Sequence, residues 1–399
     1  MTIRPFAAVR PNVQDAARVA AVPYDVVGTA EARALAKDNP KSFLHVSRPE
    51  IDLPDGTDPS SPAAYAQARK AFDALRANGT LVQDAEPEFY VYRQSVGSHA
   101  QTGIVATFDT KEYLAGVIKQ HEKTRKDKED DRTRHIEILG AHTGPAFLAY
   151  RDDRAIDELV DLACHEAPLY DFVAEDGVRH TVWEFAPAAS CRADELQELF
   201  ARIPVAYIAD GHHRSAAAAR YAQEHDFEGE SRWFPAVIFP ASQLRILPYN
   251  RLLRDLNGLS PYEFLSRVSE NFAIGTGEGA RSCRMYLGGK WTTLSWDIPP
   301  NASPVEALDA SYLQENLLAP VLGIGDPRTD RRIAFVGGVR GDKALEAAVD
   351  SGRAALAFAM EPVTMDEVMA IADAGGIMPP KSTWFEPKLR SGLFIHTVS

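Results

Sequence analysis

With 399 residues, 45% of them hydrophobic and 25% charged, the chain has an ordinary globular composition and more length than one core absorbs, since single cores stop growing near about 250–300 residues. A net charge of −13 argues against duplex nucleic acid as the main partner, because that binding needs clustered Lys and Arg to neutralise phosphates. No stretch approaches the roughly 18 apolar residues of a membrane span, the start "MTIRPFAAVRPNVQD" lacks the apolar run of a secretory signal, and the distant Cys164, Cys191 and Cys283 form no metal or redox motif.

A cytoplasmic chain with no membrane partner is therefore expected, and a homo-oligomer is compatible with it. Along the chain, short apolar runs alternate with turn signals in "AAVPYDVV" (20–27) and "NPKSFLHVSRPE" (39–50), and "LPDGTDPSSP" (53–62) is an irregular surface loop. Tyr65, Ala68, Phe72 and Leu75 then recur at helical spacing, with Gly79 past the end, which predicts an amphipathic helix. "EFYVYRQ" and "TGIVATFD" predict a hairpin closed by "SVGSHA".

Between 151 and 240 helices and strands alternate: "DRAIDELVDLACHE", strands near 170–173 and 180–186, "RADELQELFAR", "VAYIA", a helix from His212, and "FPAVIFP". That pattern predicts a mixed α/β, or α+β, sheet with helical cover. Beyond 241 follow the helix "SPYEFLSRVSENF", strands near 283–294, and helices near 342–350 and 364–374, ending in the Pro- and Gly-rich "GGIMPPKSTWFEPKLRSGLF". Three segments are expected: 1–110, a core at 111–240, and 241–399.

The richest chemistry lies at "VAYIADGHHRSAAAARYAQEHD" (205–226). A buried strand runs into Asp210, and a helix opens at Gly211 with His212, His213 and Arg214. Free N–H groups and the positive dipole end of a first helical turn make an anion site. Gly211 lets a ligand approach the backbone, and Arg214 can grip phosphate bidentately. Asp210 can hold a metal or accept a proton. His212 and His213 diverge by about 100° on a helix, so at most one of them faces the ligand. The bland alternative is a solvated helix start with Asp210 as its cap.

The charge run "HEKTRKDKEDDR" (121–132) offers Glu122 beside His121 for general-base work, Lys128 and Arg132 for phosphate, and Asp131 for magnesium, which takes one or two carboxylates plus substrate phosphates. "MPPKSTWFEPK" (378–388) presents Lys381, Ser382 and Thr383 in the order of a phosphate loop's end, without its glycines. These groups are expected to gather around a concave pocket that Arg214 enters. "VPYDV" reads as a capping turn, and "CHE" (164–166) as structural.

Over nearly its whole length the chain resembles the family known as domain of unknown function 1015. The matching pieces are "AVPYDVV", "HEKTRKDKEDDR", "ADGHHRSAAA", "NRLL" (250–253) and "MPPKSTWFEPKLRSGL". The "DGHHR" core is also similar to that of the free serine kinases of the ParB and sulfiredoxin-like superfamily. This second resemblance implies a ParB/sulfiredoxin-like central domain flanked by N- and C-terminal α/β segments. It implies Asp210, Gly211, His212, His213 and Arg214 as the phosphate and catalytic turn, and an upstream glutamate as base, for which Glu122 is the nearest candidate.

The leading expectation is a small-molecule phosphotransferase, a free serine kinase or its reverse from phosphoserine, using ATP or ADP with Mg2+. Asp210, Glu122 and His213 would be catalytic. Gly211, His212, Arg214, Lys128, Arg132, Lys381, Ser382 and Thr383 would hold nucleotide, and Asp131 and Asp210 the metal. The alternatives are a phosphohydrolase such as a phosphoserine phosphatase, and a nucleotide-binding regulatory module without turnover.

Overall fold

The alternating apolar runs are realised as a mixed α/β architecture in the computed structural model, which describes residues 1–187, 190–275 and 279–398. Two units are distinguished: Met1–Leu244 together with Pro387–Ser399, and Arg245–Glu386.

In the first unit the predicted amphipathic helix is α1, Pro62–Ala77. Ser61 caps it by accepting from the Ala64 N–H, and Pro62 fills the first turn, where no N–H is needed. The hairpin follows as β1, Glu88–Val96, and β2, His99–Asp109. The charge run continues into a helix, α2, Lys126–Leu139, closed by Gly140 in the left-handed region. Next come β3, Ala146–Tyr150; α3, Arg154–Ala163; β4, Tyr170–Val173; β5, Arg179–Pro187; and α4, Cys191–Arg202. Then follow β6, Ala206–Asp210; α5, His212–Glu224; and β7, Trp233–Pro240.

One nine-stranded sheet joins them, in the order Ile118–Lys119, β6, β3, β7, β2, β1, β5, β4, with Ile3–Arg4 added on β2. It is mixed: β7 runs parallel to β3, and β6 antiparallel to it. Strands from 88–109 and from 146–240 thus share one sheet, so the first two expected segments lie within one unit. Ile104, Leu148, Ile208 and Ile238 of the strands pack in one core with Ile156 of α3, Leu196 and Phe200 of α4, and Ala218 of α5. The returning tail belongs to this unit too: Ile395 bonds the Val9 backbone in both directions, and His396 pairs with His142 across a short ladder.

The second unit has a six-stranded sheet. Its elements are β8, Tyr249–Leu253; α6, Pro261–Val268; β9, Ala273–Ile274; β10, Arg281–Leu287; β11, Lys290–Trp296; β12, Ile333–Gly337; α7, Gly341–Asp350; β13, Leu356–Met360; and α8, Met365–Asp373. The sheet order is β9, β11, β10, β13, β8, β12. A capping box starts α6, where Ser260 and Glu263 exchange side-chain and backbone bonds. Among the described residues no helix is long and apolar enough to cross a membrane.

Candidate functional site at the end of strand β6

Strand β6 ends as expected at Asp210, and α5 starts at His212. The pairing of β6 with β3 slips between Ile208 and Asp210, and such a bulge re-aims the side chains beyond it. Gly211 sits at φ 91°, ψ 29°, a left-handed conformation that glycine adopts at no steric cost. The alanines that follow are strong helix formers, and Ala217, Ala218 and Ala222 are at most 1% exposed, so the helix lies close on its neighbours.

The Arg214 side chain is 13% exposed and bonds within the turn. Its guanidinium folds back over Gly211, where a Cβ would lie 2.9 Å from Nε. Nη2 donates to Asp210 Oδ2 at 2.7 Å, and Nη1 donates to the Pro145 carbonyl. Nε has no hydrogen-bond partner. The other carboxylate oxygen, Oδ1, accepts from Lys388 Nζ at 2.8 Å. Burial opposes ionisation of Asp210, but the charges of Lys388 and Arg214 outweigh it and hold the acid well below the usual carboxylate range. So strong an acid is a weak proton acceptor; its charge rather than its basicity is what the fold preserves.

Gly211→Ala is expected to lose about 1–2 kcal/mol of stability from the left-handed backbone alone, and more as Arg214 is pushed off Asp210. Urea melts measure it; a neutral substitution would show that the guanidinium has room elsewhere.

Two imidazoles back this turn. His212 is 5% exposed, its Nε2 has no hydrogen-bond partner, and its ring meets that of His121 edge-on at 4.5 Å. Burial keeps both neutral: His121 is pushed down to about 4 and His212 well below its ordinary value. His213, half-buried, accepts from the Arg125 backbone N–H at 3.1 Å, and burial lowers its pKa as well.

The charge run divides in two. Lys128 is exposed, whereas Asp131 and Arg132 turn inward. Asp131 accepts from Tyr65 Oη at 2.7 Å, Ser60 Oγ at 3.2 Å and Arg132 Nη2 at 2.7 Å. Arg132 lies 4.1 Å from the centre of the Tyr24 ring, so "VPYDV" is more than a capping turn: it covers this ion pair. Arg220 of α5 reaches Asp130 and Glu129 of α2. Glu122 is half-buried next to His121.

As candidate magnesium ligands, Asp131 and Asp210 do not fit. Every oxygen of the two carboxylates already accepts from a cation or a hydroxyl, and among the described residues no group of three or more His, Cys, Asp and Glu is placed to hold a metal. Lys381, Ser382 and Thr383 belong to the second unit. There Lys381 is exposed with Nζ 5.2 Å from the Tyr249 ring centre, Ser382 Oγ bonds the Pro379 carbonyl at 2.7 Å, and Thr383 is half-buried. The residue that sequence reasoning passed over is Lys388. It stands in a quoted segment, yet as one lysine in an irregular stretch it gave no periodic signal.

The family model described as "Protein of unknown function (DUF1015)" matches residues 3–311. No curated protein matches the sequence. Among solved structures the chain is similar to a conserved hypothetical protein from Pyrococcus furiosus, at 13% identity and a TM-score of 0.36, covering 73% of this chain and 94% of that one. It is similar to a free serine kinase in complex with AMP at 14% identity and a TM-score of 0.37, over 72% and 92% of the two chains. It is also similar to SbnI with C-terminal truncation from Staphylococcus aureus, at 11% identity and a TM-score of 0.39, over 72% and 85%.

Proposed function

We propose that this chain, which belongs to the DUF1015 family, is a small-molecule phosphotransferase that moves a phosphoryl group between an adenine nucleotide and an alcohol, with free serine or phosphoserine as the acceptor or donor. The observation that carries this reading is the convergence of Arg214 and Lys388 on one carboxylate at a helix start. Phosphoryl transfer asks mainly for positioning and charge neutralisation, and two fixed cations beside free helical N–H groups supply both.

In this reading Asp210 is a positioning residue. It holds the guanidinium and the ammonium in place until phosphate oxygens share them, and its low pKa keeps it charged throughout. The proton of the acceptor hydroxyl needs another base, for which we assign Glu122. As the hydroxyl oxygen bonds to the transferred phosphorus and the bond to the nucleotide's leaving oxygen breaks, the hydroxyl proton passes to that carboxylate. The neutral His212 and His213 line the turn without adding positive charge that would compete for the nucleotide.

The test is a coupled assay with serine and ATP or ADP, and with phosphoserine and ADP in reverse. Turnover in either direction is expected. Arg214→Ala should raise the dissociation constant for nucleotide at least tenfold, because a phosphate clamp acts in the ground state as well as the transition state. Phosphate release from phosphoserine without nucleotide would instead establish a phosphohydrolase, and tight nucleotide binding without any turnover would establish a regulatory module.

A further inference from the structure

The second unit has a concavity of its own, about 330 Å3 counting its open mouth, lined among others by Arg251, Arg281, Asp309, Glu361 and Met360. Two of these side chains have incomplete partners. Arg251, on strand β8, is only 4% exposed. Its guanidinium donates to the Tyr249 carbonyl and lies 5.6 Å from the Phe335 ring centre; the Asp309 charge acts on it from across the concavity, yet among the described residues no carboxylate bonds to it directly. Burial pulls its pKa down to about 10, so the group is still a cation at neutral pH. A buried cation whose counter-charge stays out of bonding reach is costly, and proteins normally pair such groups directly.

Asp309 is 8% exposed, and its Oδ1 has no hydrogen-bond partner. The nearest cation, Arg281 Nη1, stands 3.7 Å away and is also engaged by Glu367. Burial raises the Asp309 carboxyl to about 6. The two opposite charges thus face one concavity without a direct bond, Arg251 lacking a carboxylate in contact and Asp309 Oδ1 an N–H or O–H donor. A single small molecule that carries both groups would satisfy the two together, whereas two separate solutes would each have to be recruited and ordered.

We propose that this concavity binds a small α-amino or α-hydroxy acid, its carboxylate on Arg251 and its ammonium or hydroxyl group on Asp309. The site stands apart from the reading of Asp210 and does not depend on it. Calorimetric titration of the full-length chain tests it with the proteinogenic amino acids, lactate and glycolate. Propionate and ethanolamine serve as controls that each lack one of the two groups.

At least one amino or hydroxy acid is expected to bind at one site per chain. Its affinity should fall tenfold or more in Asp309→Asn and in Arg251→Lys, the latter retaining a buried cation should Arg251→Met fail to fold. The controls should bind at least tenfold more weakly. Absence of binding by every acid at millimolar concentration overturns the proposal. So does equal binding of propionate or ethanolamine, and so does binding that both variants retain in full. This last result would move an amino acid such as serine to the first unit, and would leave the phosphotransferase reading intact while removing this one.

Discussion

Asp210→Asn is expected to cost the first unit about 3–5 kcal/mol of unfolding free energy, the loss typical when one partner of a buried ion cluster is removed. Lys388 and Arg214 retain side-chain exposures of only 11% and 13%, so the amide would leave two cations with little water and no counter-charge. If the chain is the proposed phosphotransferase, the same change should lower phosphoryl transfer at least a hundredfold, because clamps that repel one another no longer hold the reacting groups in line. The amide is nearly isosteric, so packing is preserved and the loss reads the charge. Adding Lys388→Met to Asp210→Asn should recover part of the stability, since residues in one network couple rather than add. Urea melts of the two single variants and the double variant make the cycle. A loss below about 1 kcal/mol for Asp210→Asn would place the cluster in the class of screened surface pairs.

Acid is expected to unfold the first unit well above the pH at which its carboxylates titrate. Burial depresses His121 to about 4, His135, His142 and His180 to about 3, and His212 well below its ordinary value. Each imidazole has a folded pKa below its unfolded value, so its contribution is complete above about 6.5 and is lost as the pH falls towards the folded value. Below 6.5 the unfolded chain binds protons that the native chain refuses. The slope approaches about 1.4 kcal/mol per pH unit for each such group, or about 7 for five. Against a total of about 5–15 kcal/mol, unfolding near pH 5 follows.

The partners of His180 show why it resists protonation. Arg390 Nε donates to its Nε2 at 3.1 Å, and Tyr92 Oη sits 2.7 Å from Nδ1. A lone pair that accepts from a guanidinium has no place for a proton. Asp210, by contrast, has a folded pKa depressed below the usual carboxylate range, so its contribution is complete above about pH 4 and is lost only below that. Urea midpoints at pH 7, 6 and 5 decide the matter: a flat profile would mean that these rings reach water.

What could be read in advance was local. The change from "VAYIA" to "DGHHR" and then to alanines marks a strand, a turn and a helix within one window, and β6 and α5 lie there. Gly79 lies just past α1 because helix stops act over one turn, whereas sequence reasoning passed over the Ser61 cap. The charge run was harder. Its composition says solvated surface, and only the tertiary partners Tyr65, Ser60 and Tyr24 show that Asp131 and Arg132 face inward. Lys388 lay beyond local reasoning altogether, because its contact with Asp210 spans 178 positions and rests on a tail tied down by Gln94, Arg390 and the Ile395 backbone. The split of the first unit around Arg245–Glu386 likewise lives in long-range pairings such as His396 with His142, which no periodicity announces.

A ribosome making this chain exposes Asp210 and Arg214 long before it exposes Lys388. At about 5–20 residues per second the delay is roughly 10–35 s, during which the second unit emerges in full. Until then the turn has one cation of its two, and Gln94 and His180 lack the tail that later fastens to them. The turn therefore closes only once the Pro387–Ser399 segment is in place. A chain cut short anywhere in the second unit would carry every motif of the "DGHHR" turn and still lack the second cation that closes it.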